Sequence, residues 1–264
     1  ENSAQDNIFR PRAPSIENGH YLGTDTTSRD ILSRLIYGTR IALWFALAFT
    51  LSVYLIGIII GCAMGYFGGI FDLLFQRFIE IWSNIPFLYM VIIVFSVVPS
   101  GLPTSARIMI LLSVMVLFSW TSMTYYMRTE TYREKSRDYV SAARIMGAST
   151  GRIIFKHIIP NLLDPVIVIC ASNFATAILI EAGLSFLGIG VQIPMPSWGS
   201  IIDQHKEYII HAEKSFLAII PGLLIISLVF SFMILGHHLR SVLGRKASAG
   251  TWKEQLKGAP ADSI

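Results

Sequence analysis

Residues 41–71 read IALWFALAFTLSVYLIGIIIGCAMGYFGGIF without a single charge. A helix needs about 20 predominantly apolar residues to cross a bilayer, and this stretch is longer than that. A soluble helix would keep a polar stripe along one side; this one has only scattered hydroxyls, ring donors and glycines. The pattern recurs. Residues 81–106 and 108–127 are also free of charge, and two further apolar stretches run over 162–180 and 216–236. The expected fold is all-α: a polytopic membrane helical bundle with five spans.

Composition agrees. The chain is 53% hydrophobic and 14% charged, against about 25% charged in a typical soluble domain. Its formal net charge of +4 is what basic residues flanking membrane spans produce, and calls for no nucleic acid. Cys62 and Cys170 both fall inside spans, where they read as small buried apolar residues rather than a disulfide or metal pair.

Orientation follows from Lys and Arg in short loops. The 129–161 loop carries Arg133, Lys135, Arg137, Arg144, Arg152 and Lys156, and the 241–264 tail carries Arg245, Lys246, Lys253 and Lys257. Both are expected in the cytoplasm. The 190–214 loop carries only Lys206 and Lys214, and is expected outside. Residues 1–39 then also fall outside as an extracytoplasmic segment and surface helix, against the pull of Arg10, Arg12, Arg29 and Arg34. The transmembrane domain is expected over 40–240. An odd number of spans, beginning outside and ending inside, leads us to expect a longer, six-spanning parent.

Along the chain, residues 1–19 read as irregular. Thr26-Thr27-Ser28-Arg29-Asp30 caps a helix from Ile31, whose apolar face (Ile31, Leu32, Leu35, Ile36) suits the membrane surface before the first span begins near Arg40. Gly57, Gly61 and Gly65 recur every fourth residue, a spacing that lets another helix come close. Gly65-Tyr66-Phe67-Gly68-Gly69 marks a turn. Asp72, Gln76 and Glu80 then form one polar stripe, either an amphipathic start to the second span or a face toward another subunit; Pro86 kinks that span. Ser113, Ser119, Thr121, Ser122 and Thr124 in the third span bond to their own helix or line a polar path. Glu181 is the charge nearest the interior of any span, and belongs near the outer interface or beside a polar cavity. Trp198 suits the headgroup level. His205 and His211 lie on different faces of a short helix, and His237-His238 sit at the end of the last span.

Chemistry of the covalent kind is missing. No G-x-x-x-x-G-K-[ST], H-E-x-x-H or G-x-S-x-G occurs, and no spaced Cys/His cluster. Catalytic residues, bound metal and cofactors are all expected to be none. Uphill transport would need an energy source elsewhere.

One polar block stands out between the third and fourth spans: Asp138-Tyr139-Val140-Ser141-Ala142-Ala143-Arg144-Ile145-Met146-Gly147-Ala148-Ser149, running through Arg152 to His157-Ile158-Ile159-Pro160-Asn161. A connecting loop needs only polarity. This one reads as two short helices around a sharp turn, with Ala142 and Ala143 allowing close packing, Gly147 the turn, and Pro160 the end of the second helix. The block resembles the EAA loop of permease subunits from binding-protein-dependent ABC importers. Ala142, Ala143, Gly147 and Pro160 match that pattern; Ser141 replaces its glutamate, His157 its isoleucine and Ile159 its leucine. Two more blocks resemble the C-type subunit of the peptide/nickel (dipeptide/oligopeptide) branch: His20-Tyr21-Leu22-Gly23-Thr24-Asp25 with Arg29-Asp30, and Glu181-Ala182-Gly183-Leu184-Ser185-Phe186-Leu187-Gly188 with Pro196-Ser197-Trp198-Gly199. Gly236-His237-His238-Leu239-Arg240 departs from the usual acidic variant.

The resemblance implies a non-catalytic transmembrane subunit of a peptide importer in the bacterial inner membrane. It implies a second permease subunit, two cytoplasmic ATPase subunits that bind ATP and magnesium, and an extracytoplasmic solute-binding protein. Coupling to the ATPase would pass through Ser141, Ala142, Ala143, Arg144, Gly147, Ala148, Ser149, Arg152 and Pro160. Glu181, Ser185 and Phe186 are candidates for the pathway or a gate. Nickel chelates or glycosides are alternative cargoes. An ion-gradient-driven secondary transporter is an alternative of another class, and needs buried coupling carboxylates and often repeats; Glu181 is its only candidate. A membrane scaffold that moves nothing is a third.

Overall fold

The computed structural model describes residues 14–16, 19–99, 101–192, 194–210 and 214–258, with side chains described as far as Val242. The readings of residues 1–13, of His211 and of the basic tail side chains lie outside the described residues. The described helices are α1 (Ile31–Phe67), α2 (Gly69–Ser83), α3 (Phe87–Val97), α4 (Thr104–Lys135), α5 (Asp138–Ile145), α6 (Thr150–Arg152), α7 (Ile159–Phe186), α8 (Trp198–His205) and α9 (Phe216–Gly258). Four apolar stretches of helix are long enough to cross a bilayer: Ile31–Phe67, Thr104–Lys135, Thr150–Phe186 and Phe216–Val242. The pair α2–α3, bent by 70°, is apolar and long enough only when its two halves are counted together, and as one broken span it brings the number to five.

The surface helix expected before Arg40 is not a separate element. Asp30 caps α1, its carboxylate accepting from Ser33 N, and the helix then runs unbroken into the span. Nothing between Ile31 and Phe67 breaks it: no proline occurs, and Gly38 lies against Trp198. The second span does break. Asn84-Ile85-Pro86 interrupts it, because Pro86 lacks an N–H and disfavours helical geometry in the residue before it.

Parallel packing of α1 on α4 forms the centre. A Cβ at Gly57 would lie 2.6 Å from Met123 Cβ, at Gly61 2.5 Å from Thr124 O and 2.7 Å from Met127 Cβ, and at Gly65 2.5 Å from Arg128 O. Hydrogen at these three positions is what lets the two backbones touch. Phe45, Phe49, Val53, Leu111, Met115 and Met127 are buried along the seam, joined by Ile158 and Ile178 of the α7 stretch. Beyond Phe67, Gly68 and Gly69 both take positive φ (63° and 59°), which costs a residue with a Cβ more than glycine, and the chain reverses into α2.

Asp72 and Gln76 of the stripe turn out to face this chain's own α4, and Glu80 joins them through Gln76. Arg128 Nη2 donates to Asp72 Oδ2 at 2.6 Å and to Gln76 Oε1 at 3.3 Å, and Gln76 Nε2 donates to Glu80 Oε1 at 3.2 Å. In the third span, Ser113 donates to Met109 O and Thr124 to Trp120 O, as own-helix bonding requires. Cys62 is buried and accepts from Thr131 Oγ1 at 3.4 Å.

Candidate functional site

At the end of the bundle where α4 finishes, the chain makes a compact knob. Ser136 and Arg137 turn the chain back, and α5 follows. Gly147 takes φ 79° with nothing within 4 Å of its Cβ position. Its role is conformational: left-handed backbone costs an L-residue about 1–2 kcal/mol. The reversal is tied by Met146 N to Ala142 O, Gly147 N to Arg144 O and Ala148 N to Ala143 O. Ser149 caps the next segment by accepting from Arg152 N.

That segment does not stop at Pro160. It runs through a π-helical turn, Ile153–Ile158, directly into α7, with Pro160 inside the first turn of α7. The expectation that proline ends a second short helix is therefore corrected. Pro160 lies where one helical segment passes into the next, so its missing N–H is met by a change of turn and not by a helix end. The widened turn has a matching cause. Ile159 N–H reaches back five residues to Ile154 O, one residue before proline removes the next donor.

Four side chains seat the knob in the bundle: Val140, Ile153, Ile154 and Ile158 are buried in its main core. Polar contacts align it. Lys135 Nζ donates to Tyr66 O and sits 5.4 Å from the Tyr66 ring. Arg144 Nη2 donates to Tyr66 Oη at 3.5 Å, its guanidinium 5.9 Å from the same ring. Tyr139 Oη donates to Glu134 Oε1 at 2.8 Å. Of the candidate residues, Ala143 is buried, Ala148 is half-buried, and Ser141, Ala142, Arg144, Gly147, Ser149 and Arg152 are exposed. Ala142 thus lies on the surface of the knob.

The reading from sequence missed the most conspicuous side chains here. Ile145 is 87% exposed, Met146 80% and Phe155 66%. Ile145 and Met146 stand at the reversal after α5 and Phe155 on the turn that follows, and this chain leaves all three uncovered.

The opposite end of the bundle is closed by α8. Ser197 caps it in a reciprocal capping box with Ser200. Trp198 is not at a lipid interface; it is 3% exposed, and its Nε1 donates to Leu35 O at 3.0 Å. Gly199 lies so near α7 that a Cβ would be 1.9 Å from Ala182 O. Glu181, 1% exposed, accepts from Ser185 Oγ at 2.7 Å, and Ser185 Oγ in turn accepts from Val191 N at 2.9 Å. Glu181 and Ser185 are thus built into a packed corner, whereas Phe186 is partly exposed; the structure does not bring the three onto one surface.

A second network ties the segment before α1 to α8. Asp25 accepts from Thr27 N, Thr27 Oγ1 and Arg29 N, each at 2.8 Å. Arg34 donates to Asp25 Oδ2 at 2.6 Å and to Gln204 Oε1 at 2.9 Å. Burial opposes ionisation of Asp25, but these hydrogen bonds and Arg34 outweigh it and hold the carboxyl below its ordinary 3.8. Beside it, His205 is buried; Nδ1 pairs with Ile201 O at 2.7 Å, and Nε2 has no partner among the described residues. Burial pushes its pKa below the ordinary 6.5, with Ile201 O and Asp25 opposing and Arg34 assisting. A histidine held neutral in the fold takes up its proton more readily when unfolded. Stability is therefore full above 6.5 and falls as pH drops toward the folded value, while the Asp25 contribution is lost only below about 3.8. Thermal melting of the purified protein should fall by a few degrees between pH 7 and pH 5, and His205→Met should flatten that decline.

Residues 57–243 match the family model described as "Binding-protein-dependent transport system inner membrane component". The chain is 38% identical to the peptidoglycan transport system permease protein YejE of Agrobacterium fabrum, over 73% of this chain and 49% of that protein. It is 37% identical to the dipeptide transport system permease protein DppC of Haemophilus influenzae, over 86% and 74%. To the oligopeptide transport system permease protein OppC of Escherichia coli it is 34% identical, over 89% and 75%. The chain thus spans about half the length of the first relative and about three quarters of the other two. Among solved structures, inward-facing MetNI, a methionine ABC transporter, superimposes with a TM-score of 0.61 at 16% identity, covering 80% of this chain and 97% of that one; the fold is shared.

Proposed function

The chain belongs to the binding-protein-dependent transport system inner membrane component family, and from that premise we propose that it forms half of the translocation pathway of an ATP-driven peptide importer. It is a multi-pass inner-membrane permease component. The proposal adds its partners: a second permease subunit, two cytoplasmic ATPase subunits gripping the α5–α7 knob, and an extracytoplasmic binding protein delivering cargo. Di- and oligopeptides are the cargo class, by analogy with what the relatives' names state. Peptidoglycan-derived cargo is a second reading, favoured by the 38% identity to the Agrobacterium permease, whose name states peptidoglycan transport.

One observation carries the coupling role: Ile145, Met146 and Phe155 are left bare on a knob tied to Tyr66 by Lys135 and Arg144. Exposed apolar groups on a polar loop mark a protein interface. The knob's buried half fixes its angle to the bundle, so that force on the knob moves α4 and α7 as bodies. Arg144, Ala148, Ser149 and Arg152 flank Ile145 and Met146 along the chain, and Ser141 and Ala142 are exposed on α5. Glu181 and Ser185 hold the far corner.

Met146→Asp should lower ATP-dependent peptide uptake in proteoliposomes by about tenfold, as for a central interface residue. Membrane abundance should stay unchanged, because the side chain supports nothing in this chain. A cysteine at position 145 should cross-link to a nucleotide-binding subunit. Full uptake by Met146→Asp, or labelling of that cysteine only from outside the cell, would reject the coupling role. Mass analysis of the cargo held by the cognate binding protein separates the two peptide readings.

A further inference from the structure

Three residues on the outward face of α1 stand one turn apart at the end of the bundle that carries α8: Tyr37, Arg40 and Trp44. Tyr37 is 61% and Trp44 64% exposed, and Arg40 is exposed with no hydrogen bond or ion pair among the described residues. Two apolar grooves run down either side of Trp44. One, about 490 Å³, lies between α1 and α4, with Phe45, Ile108 and Leu112 in its wall. The other, about 640 Å³, lies between α1 and α7, with Leu43, Leu47 and Phe174. Arg40 and Trp44 belong to both.

The level of this cation follows from the packing already described. The glycines of α1 meet Met123, Met127 and then Thr131, so the two helices run parallel in one register. Carried outward, that register sets Arg40 level with Ala106 and Arg107. Arg107 is a second cation, whose Nε is buried without a partner and whose guanidinium lies 5.9 Å from the Phe95 ring. Below this level α1 is free of charge for the rest of its length. Tyrosine and tryptophan rings mark the headgroup level of a bilayer, and an arginine there extends its head toward the polar layer. The result is a cation at the top of two greasy furrows separated by one indole.

We propose that this surface holds one anionic diacyl phospholipid, its phosphate on Arg40 and one acyl chain in each groove astride Trp44. The charge is complementary, the two furrows match two chains, and the guanidinium gains the partner that no described side chain supplies. The inference does not depend on what the protein transports.

The test uses the full-length chain purified with its co-expressed partner subunits. Phosphatidylglycerol and phosphatidylcholine are titrated in turn onto the delipidated complex, and retained lipid is counted by native mass spectrometry. Phosphatidylglycerol should bind about fivefold tighter, the contribution of one basic residue near the headgroups. Arg40→Gln should remove that preference and Arg40→Lys should keep it. Trp44→Ala should weaken both lipids alike, and Arg29→Gln, remote from the grooves, should change nothing. Equal preference in Arg40→Gln and wild type overturns the site. So does competition by water-soluble glycerol phosphate, which would make it a phosphate site. A photo-cross-linker at position 44 that captures a polypeptide instead of lipid also overturns it, by giving the grooves to a neighbouring subunit.

Discussion

Gly147→Asp leaves the chain in the membrane at near wild-type abundance and abolishes ATP-driven uptake. The position is exposed and has open space around it, so no atom collides. What changes is the backbone: φ of 79° is left-handed, and a residue with a Cβ pays about 1–2 kcal/mol there. That sum is too small to unfold five spans but large enough to reopen a three-bond turn and splay α5 from the segment beginning at Thr150. The carboxylate also lands beside the exposed Met146, where it must be desolvated in any interface. Asparagine tolerates the left-handed region better than most residues, so Gly147→Asn should keep part of the activity and Gly147→Val little. Uptake by Gly147→Asp equal to wild type would count for a secondary transporter and against a knob driven by ATPase subunits.

The other large effect is on folding. Gly61→Leu should remove most of the folded protein from the membrane. The added Cβ alone would sit 2.5 Å from a carbonyl oxygen and 2.7 Å from Met127 Cβ; neither is the far end of a flexible chain. Relief requires α1 and α4 to part along their whole seam, and the cost is about 3 kcal/mol or more, at or beyond the upper range of overpacking. Gly183→Ala is the matched control, because nothing lies within 4 Å of that position and alanine favours a helix. Detergent-solubilised yield and melting temperature would compare the two. A Gly61→Leu protein that melts with wild type would mean that α1 and α4 do not touch there.

Much of the scaffold was legible because a membrane span announces itself in composition over a long window. The glycine spacing in α1 was legible for the same reason: periodicity on one element needs no knowledge of another. Failures came where two distant segments meet. Trp198 belongs by type at a lipid interface, and only the Leu35 carbonyl and the bare Gly38 opposite explain its burial. The Asp72 stripe gave no sign that Arg128 would answer it. Pro86 flagged a kink, but its 70° size depends on packing. In the knob, Gly147 was readable from its neighbours, while Pro160 was assigned a terminating role that its first-turn position does not require. The sequence reading gave Ile145 and Met146 no role. Their one available signal was position, directly before a left-handed glycine, where a reversing chain has no neighbour to cover them.

The unbroken rod from Thr150 to Phe186 deserves a mechanical reading. One end belongs to the handle; at the other, Ala182 is pressed by Gly199 with no room for even a methyl. Pro160 and Pro165 each remove a backbone donor near the handle end of the rod, and beyond Pro165 the helix runs to the far corner without another proline. The rod works as a crankshaft, and the π-helical turn near its start sets the angle at which the crank throw leaves the axle. Deleting one residue from that turn should rotate the far corner by roughly 100° relative to the handle, the arc of one residue on a helix with 3.6 per turn.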